Sequence, residues 1–378
     1  MNKKRILILG STGSIGRQSL EVLAQSEAFE LAGIAAGSNA ALLLAQCAAF
    51  SPRFAALSSP PEGFSPPKGL RMLLGEGALL EACEQDGIDC AIVAVVGAIG
   101  LRAVLRLLDR GIPVLLANKE TLVAGGELVM RLAVERRVPL LPVDSEHSAI
   151  FQCLRGAEGN PPKTIWLTAS GGPFRAWPKA QIEGATLEQA LRHPNWSMGP
   201  KISIDSASMM NKALEIIEAK ALFQVEPDQI EVLVHPESIV HSAVEFSDGS
   251  VLAQMGRPDM RLPIAYALSF PKRMPLPYPS LSLVEIGALH FERPDFERFP
   301  ALRLAYRALE IGGVAPAALN AANEAAVELF IAGRIPFGEI ARRVENALER
   351  VGRAELSLAH IELADAEARR LAMEPTGR

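Results

Sequence analysis

The stretch Arg5-Ile6-Leu7-Ile8-Leu9-Gly10-Ser11-Thr12-Gly13-Ser14-Ile15-Gly16 decides how the first third of this chain folds. Ile6–Leu9 is a short apolar run ending at glycine, which reads as a strand buried on both faces. The small polar residues that follow read as a tight turn into a helix beginning near Ile15. Glycines let the backbone approach a pyrophosphate, and a helix N-terminus offers free N–H groups and the positive end of a dipole. The spacing is G-x-x-G-x-x-G rather than G-x-G-x-x-G. Two readings therefore stand, a dinucleotide loop and a ligand-free βα turn.

Downstream of this unit the same alternation continues. Apolar runs at Phe29–Ala35, Arg53–Leu57, Leu70–Leu74, Cys90–Val95, Pro113–Leu116 and Pro139–Val143 are the further strands. Ile15–Ala24, Ala40–Ala49, Ala78–Asp86, Leu101–Arg110 and Glu127–Arg136 have helical character. Strands without polar alternation, separated by helices, predict a Rossmann-like parallel sheet covered on both faces. Ser58–Gly69 is rich in Pro, Ser and Gly and reads as a surface loop. The second predicted strand ends in Ala35-Ala36-Gly37-Ser38-Asn39. A carboxylate there normally accepts from the ribose 2′-OH of NAD. Its absence favours NADP, although no arginine stands beside Ser38.

The chain has 378 residues, enough for roughly two to three domains. Apolar residues make up 49% and charged residues 21%, the balance of a globular protein. The net charge of −5 comes without a basic block, which argues against nucleic-acid or membrane-surface binding but leaves small anions open. No apolar run approaches the roughly 18 residues that span a bilayer. Ile6–Leu9 after the basic Lys3-Lys4-Arg5 is too short for a secretory core. Cys47, Cys83, Cys90 and Cys153 form no C-x-x-C pair. These features lead us to expect a cytoplasmic protein.

After Asp144 the pattern changes. Thr164–Ala169 is a strand entering Gly171-Gly172-Pro173, and Lys179–Pro200 reads as irregular. Asn211–Phe223 is helical. Ile230–Val234, Ile239–Phe246 and Ser250–Met255 alternate like an antiparallel sheet, with a hairpin turn at Ser247-Asp248-Gly249-Ser250. Arg257–Ala267 reads as helix and Pro271–Pro279 as an extended connector. From Ala301 onward the Ala/Leu/Glu/Arg-rich period predicts a helical bundle. The expected partition is 1–145 for a nucleotide-binding domain, 146–270 for an α+β catalytic and dimerisation domain, 271–290 for a linker and 291–378 for a C-terminal helical domain.

Asp144 and Glu146 follow the last strand of the first domain. In extended geometry i and i+2 face the same way, so both carboxylates would converge at the C-terminal sheet edge. Two such groups repel unless a cation or proton intervenes, and hard oxygens suit Mg²⁺ or Mn²⁺ rather than zinc. The alternative is a helix N-cap at Asp144 or Ser145. Asn211, Lys212 and Glu215 share a helix face. They read either as a metal carboxylate beside oxyanion-holding groups or as an ordinary solvated Lys–Glu pair. Ser170-Gly171-Gly172 offers a hydroxyl and N–H groups suited to phosphate. His193–Gly199 carries Trp196 and Met198, too apolar for a plain surface loop; it either closes over a ligand or packs on the core. His147, His235 and His241 read as satisfied core histidines without a role.

Taken together, six ordered segments resemble the 1-deoxy-D-xylulose 5-phosphate reductoisomerase family over essentially the whole chain. They include Gly10–Gly16, Ala117-Asn118-Lys119-Glu120, Val143–Ala149, Ala169–Phe174, His193–Gly199 and Ser203–Lys212. The resemblance implies NADPH- and metal-dependent isomerisation and reduction of a phosphorylated ketose to 2-C-methyl-D-erythritol 4-phosphate, in non-mevalonate isoprenoid biosynthesis. It implies Asp144, Glu146 and Glu215 as ligands of Mg²⁺ or Mn²⁺, with Co²⁺ a third option. Ser170, Ser206, Asn211 and Lys212 would hold the phosphate; Ser145, Glu146, Lys119 and His193 would address the ketose oxygens. Thr12, Gly13, Ser14, Ile15, Gly37, Ser38, Asn39, Asn118, Glu120 and Gly199 would line NADPH. Glu146 is the first candidate for proton transfer and Lys119 the second. A homodimer is expected. The rival readings are another NADP-dependent dehydrogenase of similar architecture and a non-catalytic NADP sensor.

Overall fold

A computed structural model describes residues 3–196 and 198–374. The chain divides into two compact units. The first comprises Met1–Thr121, Val129–Ser148 and Asp259–Pro279, and the second Leu122–Leu128, Ala149–Pro258 and Ser280–Arg378.

In the first unit the expected strands all form: β1 (Lys4–Leu9), β2 (Phe29–Ala36), β3 (Phe54–Leu57), β4 (Arg71–Leu74), β5 (Cys90–Val93), β6 (Val114–Leu116) and β7 (Leu140–Pro142). They pair in parallel in the order β4-β3-β2-β1-β5-β6-β7. Ile6 to Leu9 at the centre are fully buried, as a strand covered on both faces requires. The helices between are α1 (Ser14–Leu23), α2 (Ala40–Phe50), α3 (Ala78–Cys83), α4 (Ile99–Asp109) and α5 (Lys119–Arg136). Helix α5 starts well before the expected Glu127. Gly125 and Gly126 look like a break, but the helix absorbs them as a kink, with Gly125 at φ −135° and ψ 25°. Residues 122–128 of α5 count with the second unit.

Strand order reverses beside β1, which has β2 on one side and β5 on the other. Ligands of open α/β sheets bind outside the strand ends at such a point. Helix α11 (Arg261–Ser269) belongs to this unit and packs on α1 and β7. Arg261 fastens it, binding Asp259 at 2.7 Å and Glu21 at 3.4 Å and lying 3.8 Å over the Tyr278 ring.

The second unit holds a mixed sheet in the order β11-β10-β8-β9, from β8 (Thr164–Ala169), β9 (Ile230–Val234), β10 (Val240–Glu245) and β11 (Val251–Met255). The β10–β11 hairpin turns where expected, with Gly249 at φ +84° and Asp248 accepting from Ser250 N at 2.9 Å. One expectation fails. β9 does not join the antiparallel run but pairs parallel with β8, from Ile165↔Ile230 to Ala169↔Val234. Alternation reports a half-buried face and carries no information about a partner's direction.

Helix α6 (Ser145–Arg155) leads into this unit. The stretch expected to be irregular contains α7 (Lys179–Glu183), α8 (Leu187–Ala190) and the start of α9 (Pro200–Ala207); α10 (Met210–Phe223) follows. After the single-turn α12 (Leu283–Ile286) come α13 (Ala301–Ile311), α14 (Ala315–Ile331), α15 (Glu339–Val351) and α16 (Leu358–Met373). Helix α14 is buried along nearly its whole length and packs on α15 and α16. That is the expected helical bundle.

Candidate active site

The glycine loop is shaped by close contacts. Gly10 turns at φ +89°, and a Cβ there would lie 2.4 Å from Ala94 O, just past β5. At Gly16 a Cβ would lie 2.2 Å from Gly10 O, so the helix can sit this close to the strand only without a side chain. Ser11 is consumed internally. Its hydroxyl donates to Gln46 Oε1 and its carbonyl accepts from Gln46 Nε2, both at 2.8 Å. Gln46 on α2 was not singled out from sequence. Gly13 caps α1 without a side-chain hydrogen bond, and no acidic residue stands in the first turn. This uncapped N-terminus beside Thr12, Ser14 and Ile15 fits a pyrophosphate. At the end of β2, Gly37, Ser38 and Asn39 are exposed, and Asn39 caps α2 by accepting from Leu42 N at 3.1 Å.

Asn118 is a clamp. Its Oδ1 accepts from Thr121 N at 3.1 Å, starting α5, while Nδ2 donates to Val95 O at 2.9 Å and Glu120 Oε2 at 2.5 Å. Asn118 and Glu120 are both buried and hold the loop after β5 to the head of α5. That loop, with Val96 exposed and Gly97 at φ +82°, was also missed. Its position at the strand-order reversal is the signal that could have found it.

Asp144 takes the N-cap role that is one of its two readings. Strand β7 ends at Pro142 and α6 begins at Ser145, so the extended i, i+2 argument does not apply. Oδ1 accepts from Glu146 N at 3.2 Å and His147 N at 3.4 Å, which is an N-cap, and His147 Nδ1 lies 2.9 Å away. A carboxylate only accepts, so His147 Nδ1 carries the hydrogen. His147 is fully buried as expected, but its partner is a site carboxylate. Oδ2 pairs with Lys119 Nζ. Burial pushes the Asp144 carboxyl up, but the Lys119 ammonium and His147 outweigh it and hold the group well below the usual carboxylate range. Ser145 Oγ donates to Glu146 Oε2 at 2.6 Å.

On α10 the solvated-face reading fails. Lys212 is 3% exposed, Glu215 0% and Glu218 2%. Glu215 Oε1 accepts from Asn211 Nδ2 at 2.5 Å, and Oε2 pairs with Lys212 Nζ. A buried carboxylate needs such donors or a metal. The spacing of Asn211, Lys212 and Glu215 thus builds one polar cluster inside an otherwise apolar helix.

Ser170 is set up by its neighbours. Its Oγ accepts from Gly172 N at 3.1 Å and lies 3.0 Å from His193 Nε2. His193 Nδ1 accepts from Asn195 N at 3.2 Å and Trp196 N at 2.9 Å, so the ring hydrogen is on Nε2 and points at Ser170. With two donors on its oxygen, the Ser170 hydroxyl has its own hydrogen left for an acceptor. The structure brings His193 to Ser170, with two backbone N–H groups fixing the ring. Asn195 straps this loop down, donating to Pro236 O at 2.6 Å and Ser238 Oγ at 2.8 Å. Ser197 of the same motif lies outside the described residues. Gly172 turns at φ +65°, and a Cβ there would lie 2.6 Å from Ser206 O. The Ser206 hydroxyl, half-buried, has no partner among the described residues. Gly199 caps α9 ahead of Pro200. His235 has a structural role, accepting from Ile239 N and Val240 N at 3.1 Å.

A doubly wound parallel sheet with a pyrophosphate-ready turn at its reversal point, in a chain that also carries a phosphate-ready serine loop, defines a dinucleotide-dependent enzyme acting on a phosphorylated substrate. Residues 6–126 match the family described as 1-deoxy-D-xylulose 5-phosphate reductoisomerase. Residues 140–223 and 255–371 match C-terminal domains of the same enzyme. The chain belongs to this family. A 1-deoxy-D-xylulose 5-phosphate reductoisomerase of Heliobacterium modesticaldum is 52% identical over 99% of this chain and 98% of its own length. The enzyme from Zymomonas mobilis, solved with NADPH, superposes with a TM-score of 0.90 at 41% identity, covering 98% of each chain. A reductoisomerase solved with NADPH, fosmidomycin and magnesium gives a TM-score of 0.91 at 39% identity, over 98% of this chain and 97% of the other.

Proposed function

We propose that the chain converts 1-deoxy-D-xylulose 5-phosphate to 2-C-methyl-D-erythritol 4-phosphate with NADPH and a divalent ion, as a step of isoprenoid biosynthesis. The observation that carries this is the 52% identity to a family member over 99% of the chain. The donor set fits a hard cation. Asp144, Glu146 and Glu215 can each offer one carboxylate oxygen, and Asp144 is held ionised by Lys119. In this reading these three residues hold one Mg²⁺ or Mn²⁺. When bound, the ion supplies Lewis acidity and NADPH supplies reducing equivalents.

This chain's residues do the rest. Ser170, Ser206, Asn211 and Lys212 bind the phosphate dianion, and His193 serves the same end by orienting Ser170. Skeletal rearrangement through retro-aldol cleavage and re-addition needs a hydroxyl proton removed and returned. Glu146, with Ser145 donating to it, is the carrier in this reading, and the Lys119 ammonium is the second candidate. Trp196, half-buried with its ring centroid 6.2 Å from that of His241, keeps water from the aldehyde. Thr12–Ile15, Gly37–Asn39, Asn118, Glu120 and Gly199 line the cofactor. The test is NADPH oxidation with 1-deoxy-D-xylulose 5-phosphate, with and without EDTA. Turnover abolished by EDTA and restored by Mg²⁺ is the expected outcome; no turnover, or EDTA-insensitive turnover, overturns the reading.

The reading also includes a homodimer formed along β11. Among the described residues this strand pairs only with β10, and Val251 and Leu252 are exposed. Sedimentation as a monomer at micromolar concentration contradicts it. A cytoplasmic setting agrees with four free, buried cysteines and with no described helix long and apolar enough to cross a membrane.

A further inference from the structure

Helix α14 is apolar almost throughout, yet it buries Asn320 at 3% exposure and Asn323 at 0%. A buried amide is costly unless it is well bonded. Asn323 Nδ2 donates at 2.8 Å to Asp205 Oδ1, a carboxylate 118 residues earlier on α9 and itself 1% exposed. Asp205 Oδ2 lies 2.8 Å from Lys201 Nζ, one turn back on the same helix. Asp205 is thus held on both oxygens, and Asn323 is its link to the bundle. The residue after Asp205 is Ser206. Its carbonyl lies against Gly172, at the tip of the loop that presents Ser170.

We propose that Asn323, through Asp205, is a positioning residue that holds the end of α9 so that Ser206 meets the phosphate-binding Ser170–Gly172 loop. The inference rests on the assignment of these serines to the phosphate subsite. Asn323 touches no proposed substrate group, so its effect reaches the site only through the register of α9. A side chain that cannot bring a donor to Asp205, being apolar or too short, lets the last turn of α9 drift, and Ser206 loses its alignment with Ser170. A misplaced ligand group weakens binding of the phosphate in ground and transition states alike, which raises KM and spares kcat.

The experiment compares the parent enzyme with Asn323→Leu and the milder Asn323→Ser. It measures KM and kcat for 1-deoxy-D-xylulose 5-phosphate, competitive inhibition by inorganic phosphate, and NADPH affinity by fluorescence. Expected for each folded variant are a KM and a phosphate inhibition constant raised about tenfold, the scale of one lost charge-assisted hydrogen bond. NADPH affinity and kcat should stay within about twofold of the parent, below the effect of one such bond. The exchange Asp205→Asn with Asn323→Asp restores a donor–acceptor pair and should recover most of the phosphate affinity. Unchanged KM and phosphate inhibition in the variants overturn the inference, as does an equal loss of NADPH affinity, which marks general loosening. Should the parent itself neither turn over the ketose phosphate nor respond to inorganic phosphate, the proposed function fails instead.

Discussion

His193 Nε2 stands 3.0 Å from Ser170 Oγ, and the two residues lie 23 positions apart. The ring hydrogen sits on Nε2, because two backbone N–H groups already point at Nδ1. This orients the serine hydroxyl outward. His193→Ala should therefore raise KM for the phosphorylated substrate about tenfold or more, by loss of a bound hydroxyl orientation. Ser170→Ala should behave similarly. Steady-state kinetics with the dephosphorylated ketose as control decide it; an equal penalty on both substrates removes the pair from the phosphate end.

Glu215 is fully buried between Asn211 and Lys212. Glu215→Gln keeps the shape and an acceptor oxygen but removes the charge. The expected result is a fall in kcat of roughly a hundredfold or more, as for loss of a group that supports developing charge. Helix content should be retained, and Mn²⁺ binding, read by electron paramagnetic resonance, should weaken. Full Mn²⁺ affinity in the variant takes Glu215 out of the metal set.

These two clusters differ in how far sequence exposes them. The central strands of the first sheet are legible as continuous apolar runs: Ile6–Leu9, Phe54–Leu57, Cys90–Val93 and Val114–Leu116 are buried throughout, whereas edge strand β4 exposes Arg71 and Leu74. Asp144 with Glu146, and Glu215 with Lys212, each read two ways in sequence, and only the family resemblance joins the three acids as one set. The direction of β9, the partnership of Asn323 with Asp205 and the lock of Gln46 on Ser11 do not stand out. Each depends on residues brought together by packing across long separations, where local propensity has nothing to say. The head of α5 was hidden by Gly125 and Gly126, which a helix tolerates when tertiary packing supports it. Here Gly126 is pressed against Ala221 of α10, and a Cβ there would lie 2.5 Å from that side chain.

Ser38 at the end of β2 has neither a carboxylate nor a cation beside it in sequence. Ser58 N and Ser59 N donate to Ala36 O and Gly37 O at 3.1 and 2.8 Å, so the backbone after β3 runs alongside the end of β2. Ser38→Arg should strengthen preference for NADPH over NADH roughly tenfold through charge-assisted bonds to the 2′-phosphate. Ser38→Asp should shift preference toward NADH. Equilibrium binding of both cofactors to each variant is the measurement, and unchanged ratios place the 2′-phosphate elsewhere.

Gly172 combines φ +65° with a Cβ position 2.6 Å from the Ser206 carbonyl. Gly172→Ala should cost about 1–3 kcal/mol in backbone strain and push the serine loop off α9. Unfolding in urea together with phosphate inhibition reports both effects. A stable variant with parental phosphate inhibition means the loop can move without consequence.

Asp259 gives a pH signature separate from the site. Burial raises its carboxyl pKa, but side-chain and backbone hydrogen bonds from Arg261 outweigh this and hold it below the ordinary range. A depressed folded value means that folding is favoured by the ionised form. The contribution is complete above the unfolded value of about 3.9 and disappears as pH falls through the folded one. Asp259→Asn should therefore cost about 1 kcal/mol at neutral pH, the scale of one such bonded pair, and progressively less in acid. Urea unfolding of parent and variant across the acid range tests this. Arg261 also holds Glu21 on α1 and covers Tyr278, so a gap that stays constant into acid assigns the loss to those contacts instead of the carboxylate.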